Sequence, residues 1–580
     1  MQILQGISDI LSTFDRHPRR CMWGTALFAV IYYLVVSLQG FDFADEGFSL
    51  TFYQNIFSHP ADVEYLFLYY LTGLIGGLWE LLFGSFGNYG FRILFALVSG
   101  AIVITTHTIL RPYLRSSTIT LGTLGCILWP GLCLYYFNHD CLTILLFLLT
   151  IYTIIQGMNG KQWSWWLAGL LLALNTSCRL PNILLSILIF SPFIEAFYTN
   201  DYLKAWKSML RIIGGIIGGS LLLLLVMYVQ GHTMIYISAI SSLFVMGGDT
   251  SDTHSLMSML SSYSYTYKGI FTSTIYGFII CSIYIVGTQR IRIKGIELIM
   301  ATISMALFYA LLCRNAYAMW GAVTAAAIIY SIAHHRDSRY FMLGITAIVM
   351  LVVIPIGGDS YGNICNSCLW LGMPLLIELC RRPLKWEIAL SDAYQRQYHI
   401  TINNKIAQKL SLIVGIAFIL YVTIHTTTYF DNGSRWQKFH RPQTETATTY
   451  TSQQRCEIID DITRVTLQHK MNGNYLLVFD NAPMLHYLTG MQPYLGSPWS
   501  TFWGIDMYKE QLFESEHSTR ELPLIAIPRF FYKDLTPVDY LDPSQYPALH
   551  QKANVLYDFM ERHGYYQAYQ DPYITLYKAY

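Results

Sequence analysis

The feature that most restricts how this chain folds is a series of apolar runs, each near 20 residues and almost free of charge, spread over residues 21–428. Such a run is long enough to cross the hydrocarbon core of a bilayer as one helix. A helix also satisfies its own backbone polar groups, which lipid cannot do. Candidate crossings lie near 21–39, 89–110, 117–137, 141–158, 163–178, 181–198, 212–230, 269–288, 296–313, 315–333, 340–356, 364–380 and 410–428, thirteen in all. Charged residues make up 13% of the chain, against about 25% in soluble proteins. Residues 429–580 alone have ordinary soluble composition. The expected fold is therefore mostly α: a polytopic transmembrane helical bundle over 1–428 with a small α/β domain over 429–580. A net charge of +1 excludes a generally basic nucleic-acid binder.

Loop charges set the orientation. With Arg16, Arg19 and Arg20 in the cytoplasm and the apolar stretch 64–84 not crossing, twenty Lys and Arg residues fall on the cytoplasmic side. Only Arg92, Arg179, Lys268 and Arg314 then lie outside before the soluble domain. That is a strong positive-inside bias, and letting 64–84 cross would invert it. The stretch 64–84 is thus expected to be re-entrant or interfacial, within a first external segment 40–88. Thirteen crossings place the C-terminal domain outside a plasma (inner) membrane. Gly214/Gly218 and Gly215/Gly219 have the spacing of close helix packing. In the C-terminal domain, 475–479 and 524–527 read as buried strands, 553–563 as a helix stopped by Gly564, and 573–577 as a closing strand. Cys456 is the only cysteine there, so no internal disulfide forms. Cys365 and Cys368 are a lone CxxC, weak evidence for redox or metal chemistry.

Carboxylates gather on the outer side. Loop 40–63 has no Lys or Arg but contains Asp42, Asp45, Glu46 and Asp62. A second point is the turn Asn138-His139-Asp140, and a third is Asp359 with Tyr361 in Gly357-Gly-Asp-Ser-Tyr-Gly362. Asp249 and Asp252 lie on the long loop 231–268. Ionisable groups this close to hydrocarbon usually have a function. Asp45 and Glu46 would also suit a helix N-terminus, and Asn-His-Asp would suit a tight turn. The candidate phosphate-binding cations are Arg92, Arg179, Arg314 and Lys268. Arg179 falls in a helix-breaking Cys178-Arg-Leu-Pro181 between two short helices, and its guanidinium fork matches phosphate oxygens. Lys268 is better read as snorkelling to lipid headgroups. Acids beside guanidiniums at a lipid–water boundary suit a lipid-linked sugar phosphate. A carboxylate would accept the acceptor's proton, and cations would stabilise the departing phosphate.

The order of these residues resembles the superfamily-C glycosyltransferases, the polytopic class that uses polyprenyl-phosphate sugars. An Asp-Glu pair follows the first span (Asp45, Glu46), then an aromatic-rich helix (48–57), a non-crossing apolar helix, and an Arg opening the next span (Arg92). A second external acid follows (Asp140), then a basic residue before Pro between two short helices (Arg179, Pro181). Protein O-mannosyltransferases and lipid A aminoarabinose transferases share this layout over what corresponds to residues 20–200. Here His59-Pro60-Ala61 replaces their Pro-rich stretch. The resemblance implies inverting transfer of a sugar from a polyprenyl-phosphate donor to a glycan, lipid or protein acceptor outside the membrane. Asp45 is then the implied base, with Glu46 and Asp140 the further catalytic acids. Asn138, His139, Asp359 and Tyr361 are substrate-binding candidates, and Trp499 and Trp503 could stack on sugar faces. No cofactor is expected. A divalent cation on Asp45, Glu46, Asp140 and Asp359 is the alternative. Competing functions are a lipid-linked sugar transporter or flippase and an O-antigen ligase or polymerase type of enzyme.

Overall fold

The computed structural model describes residues 2–129, 134–248, 256–291, 293, 295–314, 317–356, 369–381, 386–391, 397–402, 404–425, 428–480, 482–539, 542–544 and 546–580. The chain opens with α1 (Gln2–Arg16) and α2 (Pro18–Val36), where Pro18 fits a first helical turn because no N–H is needed there. Next come α3 (Asp45–Asn55), a 3₁₀ stretch (Pro60–Tyr69), α4 (Tyr70–Phe83) and α5 (Gly87–Leu110). They are followed by α6 (Ser116–Leu128), α7 (His139–Met158) and α8 (Trp163–Cys178). A second 3₁₀ stretch (Leu180–Phe190) leads into α9 (Ser191–Thr199) and α10 (Tyr202–Val229). The bundle continues through α11 (Thr233–Gly248), α12 (Leu256–Arg290), α13 (Ile296–Arg314), α14 (Tyr317–Ala333) and α15 (Ser338–Val353). It ends with α16 (Gly372–Arg381), an antiparallel hairpin of β1 (Trp386–Ser391) and β2 (Gln397–Ile402), and α17 (Asn404–Ile424). Among the described residues, seven helical runs are long and apolar enough to cross a bilayer, accompanied by five shorter apolar helices. The chain is a multi-pass helical membrane protein.

Several elements differ from expectation for local reasons. The helix expected over 117–137 stops at Leu128. Pro130 disfavours helical backbone at Trp129, which is extended at φ −62°, ψ 120°, and residues 134–138 run on as a loop. The helix expected over 181–198 is 3₁₀ as far as Phe190, with a proline in the first turn of each half. Of the expected span 364–380, the described part is α16, and Cys365 and Cys368 lie outside the described residues. With 14 residues, α4 is about 21 Å long, too short to cross alone. It exposes Leu78, Leu81 and Leu82 on one side and packs Gly73, Gly76 and Gly77 against α3 on the other. Gly215 also packs as its spacing predicts. A Cβ there would lie 2.1 Å from the Trp166 carbonyl oxygen of α8, whereas Gly218 faces open space.

The C-terminal domain adds α18 (Gln453–Gln468), β3 (Tyr475–Val478), α19 (Met484–Thr489), β4 (Gln492–Pro493) and α20 (Ile505–Glu516). Then come β5 (Leu524–Pro528), α21 (Pro547–Arg562), β6 (Tyr565–Gln570) and β7 (Ile574–Ala579). The sheet runs β4-β3-β5-β7-β6, parallel across the first three strands and antiparallel beyond. Strands β3, β5 and β7 and helix α21 match the expected elements. Two strands here are unexpected: β4, only two residues long, and β6, a largely Tyr and Gln edge strand with no buried residue to signal it. The domain does not keep its core to itself. Phe41, Phe43, Leu50 and Phe52 of the first loop belong to the same buried cluster as Ile458, Leu477, Phe479 and Met484. Trp503 is fully buried in that cluster, edge-on to Tyr65, and Trp499 packs edge-on to Phe48. Trp503 is thus a core side chain and not a sugar-stacking face, whereas Trp499 is half-buried.

Candidate functional site

The site is built around the sequence Phe41-Asp-Phe-Ala-Asp-Glu-Gly47. Phe41 and Phe43 are wholly buried, packed edge-on at 5.1 Å, and Phe43 meets Phe530 at 5.0 Å. This anchors the chain just ahead of α3. Asp42 then turns its carboxylate onto the start of that helix, accepting the Ala44 N–H at 2.7 Å and the Glu46 N–H at 2.8 Å, which satisfies orphan donors of a first turn. Burial pushes the Asp42 carboxyl well above the usual carboxylate range. The charge of Asp45 adds to this, and the two amides only partly offset it. Glu46 is fully buried and takes both arms of the Arg92 guanidinium, Nε to Oε1 at 2.8 Å and Nη2 to Oε2 at 2.6 Å. Arg92 also donates to the Ser37 carbonyl at 2.7 Å. The geometry therefore commits Arg92 to Glu46 rather than to a phosphate, and Glu46 to Arg92 rather than to proton transfer.

Asp45 is left half-exposed. Its Oδ2 accepts the hydroxyl hydrogen of Tyr429, which lies just beyond α17. Burial first, then the charges of Asp45 and Asp42, raise the Tyr429 phenol well above its usual range. Tyr136 lies within electrostatic reach of the same two acids, and Tyr532 within reach of these and of Asp480. A small cavity of ≈ 20 Å³, room for one water, opens here among Asp42, Glu46, Arg92, Tyr136 and Tyr429.

The segment around Tyr429 is fixed from the C-terminal domain. Asp431, 1% exposed, accepts the Phe41 N–H at 3.0 Å and the Thr451 hydroxyl at 2.6 Å. It also faces Lys438 and Arg455, each at 3.3 Å. Arg455, equally buried, donates to the carbonyls of Phe41, Tyr532 and Lys533 at 3.1, 2.9 and 2.8 Å. Burial lowers both cations from their usual values, and Asp431 opposes that shift. On the far side of the loop, Gly47 abuts α19. A Cβ there would lie 2.2 Å from the Met484 nitrogen, so only glycine permits the approach. The Met484 N–H donates to the Phe43 carbonyl at 2.9 Å.

The second station is the start of α7. The Asn138 side chain accepts the N–H groups of Asp140 and Cys141 at 3.1 and 3.2 Å, as an N-cap does. Asn138 is thus a cap first. His139 stacks on Tyr69 at 4.4 Å and lies within electrostatic reach of Asp140 and Arg179. Asp140 Oδ1 is buried without a hydrogen-bond partner among the described residues and sits 3.6 Å from His139 Nε2. Arg179, 3% exposed, occupies the extended break after α8 and donates to the Ile354 carbonyl at 2.7 Å. Below it, Asn182 donates to the Thr143 hydroxyl at 2.8 Å and the Asn175 side chain at 2.9 Å, while Asn175 donates to the Thr143 carbonyl. This buried clamp fixes Arg179 relative to the start of α7. The two stations are joined by residues 136–140, at most about 14 Å of extended chain, and Tyr53 of α3 braces that segment by donating to the Phe137 carbonyl.

Glu46 and Arg92 thus pair with each other beside Asp45 at the first station, and Asp140 and Arg179 flank His139 at the second. Lys268 and Arg314 do not join them. Both are exposed on α12 and α13, which pack chiefly against each other, α14 and α17. Asp359, Tyr361, Asp249 and Asp252 lie outside the described residues. Among the described residues, no group of three or more His, Cys, Asp or Glu side chains could hold a metal ion. Sequence reading named Asp42 among the outer carboxylates but gave it no role, and it singled out neither Tyr429, Asp431, Arg455 nor the Asn175–Asn182 clamp. Only the asparagines carried a signal, as amides inside apolar runs.

The fold and site define a class in structural terms: a multi-pass helical bundle whose C-terminal α/β domain packs against an acidic loop. No family model matches the chain, and no curated protein matches it. Among solved structures, it is similar to ArnT from Cupriavidus metallidurans bound to undecaprenyl phosphate, at 12% identity and a TM-score of 0.49, over 95% of this chain and 97% of that one. It is similar to ArnT in the apo state at 11% identity and a TM-score of 0.49, over 95% and 96%.

Proposed function

We propose that this protein is a glycosyltransferase that moves a sugar from a polyprenyl-phosphate donor to an acceptor hydroxyl at the outer face of the membrane. One observation carries the reading: of three acids within five residues, two are buried and already bonded, and Asp45 alone is half-exposed. In the proposed step the acceptor oxygen attacks the anomeric carbon and its proton passes to Asp45. The bond from that carbon to the phosphate oxygen breaks, and polyprenyl phosphate leaves with the electron pair. Inversion follows from a single displacement. Arg179 is the proposed phosphate ligand, with Asp140 and His139 beside it to orient the sugar. The Lys/Arg asymmetry of the loops supports the outer placement.

The test begins with mass spectrometry of lipids and surface glycans in a deletion strain, where a polyprenyl-phosphate sugar should accumulate. With that donor and the purified protein, Asp45→Asn should lower transfer by roughly 10²–10⁴ while donor binding persists, and Arg179→Gln should weaken donor binding. Wild-type transfer rates in Asp45→Asn would remove this residue from the mechanism. Solute movement across proteoliposomes with no glycosyl product would replace the proposal with a transporter.

A further inference from the structure

At the opposite ends of α2 and α5 from the acidic loop lies a groove of ≈ 610 Å³, lined by Arg19, Met22, Trp23, Thr108, Arg111 and Pro112. That volume falls within the ~300–1,000 Å³ of ordinary small-molecule sites. Helix α2 has 19 residues, or about 28 Å, which matches the ~30 Å hydrocarbon thickness. Since Ser37, just past its far end, bonds Arg92 beside the acidic loop, Arg19 and Arg111 lie at the headgroup level of the other leaflet. Neither guanidinium has a hydrogen bond or ion pair among the described residues. The acid nearest Arg19 in sequence, Asp15, is turned away to accept the Ser117 N–H at 2.9 Å. From the groove, an uninterrupted stripe of exposed apolar side chains descends α2 at four-residue spacing: Trp23, Leu27, Ile31 and Val35, at 60, 60, 51 and 59%.

We propose that this groove is a binding site for an anionic glycerophospholipid. The phosphate sits between Arg19 and Arg111, whose planar forks match its oxygens. One acyl chain lies along the Trp23–Val35 stripe, and the Trp23 ring stays at the interface that indoles favour. A zwitterionic lipid brings its own cation to the same place and loses the net attraction. Two exposed guanidiniums alone would attract any anion. The apolar stripe leading out of the groove commits the site to a lipid.

The site is independent of the transfer chemistry and is tested without it. The full-length protein in mild detergent is incubated with phosphatidylglycerol or phosphatidylcholine, and retained lipid is counted by native mass spectrometry. Wild type should retain phosphatidylglycerol preferentially, and Arg19→Gln/Arg111→Gln should reduce that retention roughly tenfold. Thr108→Glu, which places an acid in the exposed wall, should do the same without removing either arginine, so a folding failure of the double variant does not leave the question open. Equal retention of the two lipids by wild type would overturn the proposal, as would undiminished phosphatidylglycerol on both variants. Displacement of the lipid by inorganic phosphate at equal concentration would make this a simple anion site instead.

Discussion

Removing Arg92 should harm this protein more than removing Arg92 and Glu46 together. Glu46 is 0% exposed and Arg92 6%, and both oxygens of the carboxylate bind the guanidinium, at 2.8 and 2.6 Å. In Arg92→Met the carboxylate stays buried with no countercharge, and the carbonyl of Ser37 loses its donor. Breaking a buried pair from one side typically costs about 3–5 kcal/mol. Replacing both partners by apolar groups of similar volume is often neutral, because the desolvation of two ions nearly cancels their attraction. Glu46→Met/Arg92→Met should therefore fall within about 1–2 kcal/mol of wild type. A difference of 3–5 kcal/mol is roughly a hundred- to several-thousandfold in the population of the opened loop. Where opening is fast, proteolysis reads that population directly. The assay is the rate at which a protease cuts within 39–47 in detergent, measured for wild type, both single variants and the double. Should the double variant be cut as fast as Arg92→Met, the pair does not act as a coupled buried unit. A single variant as resistant as wild type would show that the loop is held by other contacts.

Three further outcomes follow from particular contacts. Arg455→Lys keeps the charge near Asp431 but replaces two separated nitrogens by one, which cannot span the carbonyls that Nη1 and Nη2 reach from different sides. Limited proteolysis should find the 428–435 segment opened, while the sheet's β3–β5 core stays protected. Asn182→Ala breaks the clamp to Thr143 and Asn175, and should lower thermal stability by about 1–3 kcal/mol and weaken donor binding through Arg179. In the C-terminal domain, the Arg562 hydrogen bond first, aided by His563 and opposed by burial, holds Glu516 below its usual carboxylate value. A depressed carboxylate adds stability above its unfolded value, and this is lost as pH falls through the folded one. Glu516→Gln should therefore melt below wild type at pH 7, by no more than about 1 kcal/mol, and the two melting curves should converge in acid.

What the sequence made legible was whatever depends on neighbours along the chain. Apolar runs located the bundle, Asp45-Glu46 and Asn138-His139-Asp140 marked two stations, and Arg179 before Pro181 marked the break. The early stop of α6 was also written locally, in Pro130, although the apolar run through 137 hid it. The site's other half depends on partners far away in sequence. Tyr429 meets Asp45 across 384 positions, and Arg455 meets Phe41 across 414. Neither has a local pattern that sets it apart from any other tyrosine near a span end or arginine on an amphipathic helix. Arg92 was found but given another role, since position alone does not reveal that a buried glutamate takes up its fork.

The placement of three acids within five residues raises the question of why the loop tolerates them. Mutual repulsion and burial would both resist three bare carboxylates. The structure divides them by environment instead. Glu46 is neutralised by a guanidinium that binds both of its oxygens and that also lies within electrostatic reach of Asp42 and Asp431. Asp42 is buried on two amides, with its carboxyl pushed well above the usual range by burial and by the charge of Asp45. Asp45 keeps access to solvent and a phenol donor. That arrangement leaves one carboxylate able to receive a proton, and it depends on Tyr429, Phe430 and Tyr532 lying over the loop. Deleting 435–580 would therefore do more than remove a cover. It would expose Phe41 and Phe43 and strip Arg455 from the loop's carbonyls, so the resulting loss of activity would not discriminate a specificity domain from a lid. Point changes at Tyr532 or Lys533, which leave Arg455 and the shared core in place, make that distinction.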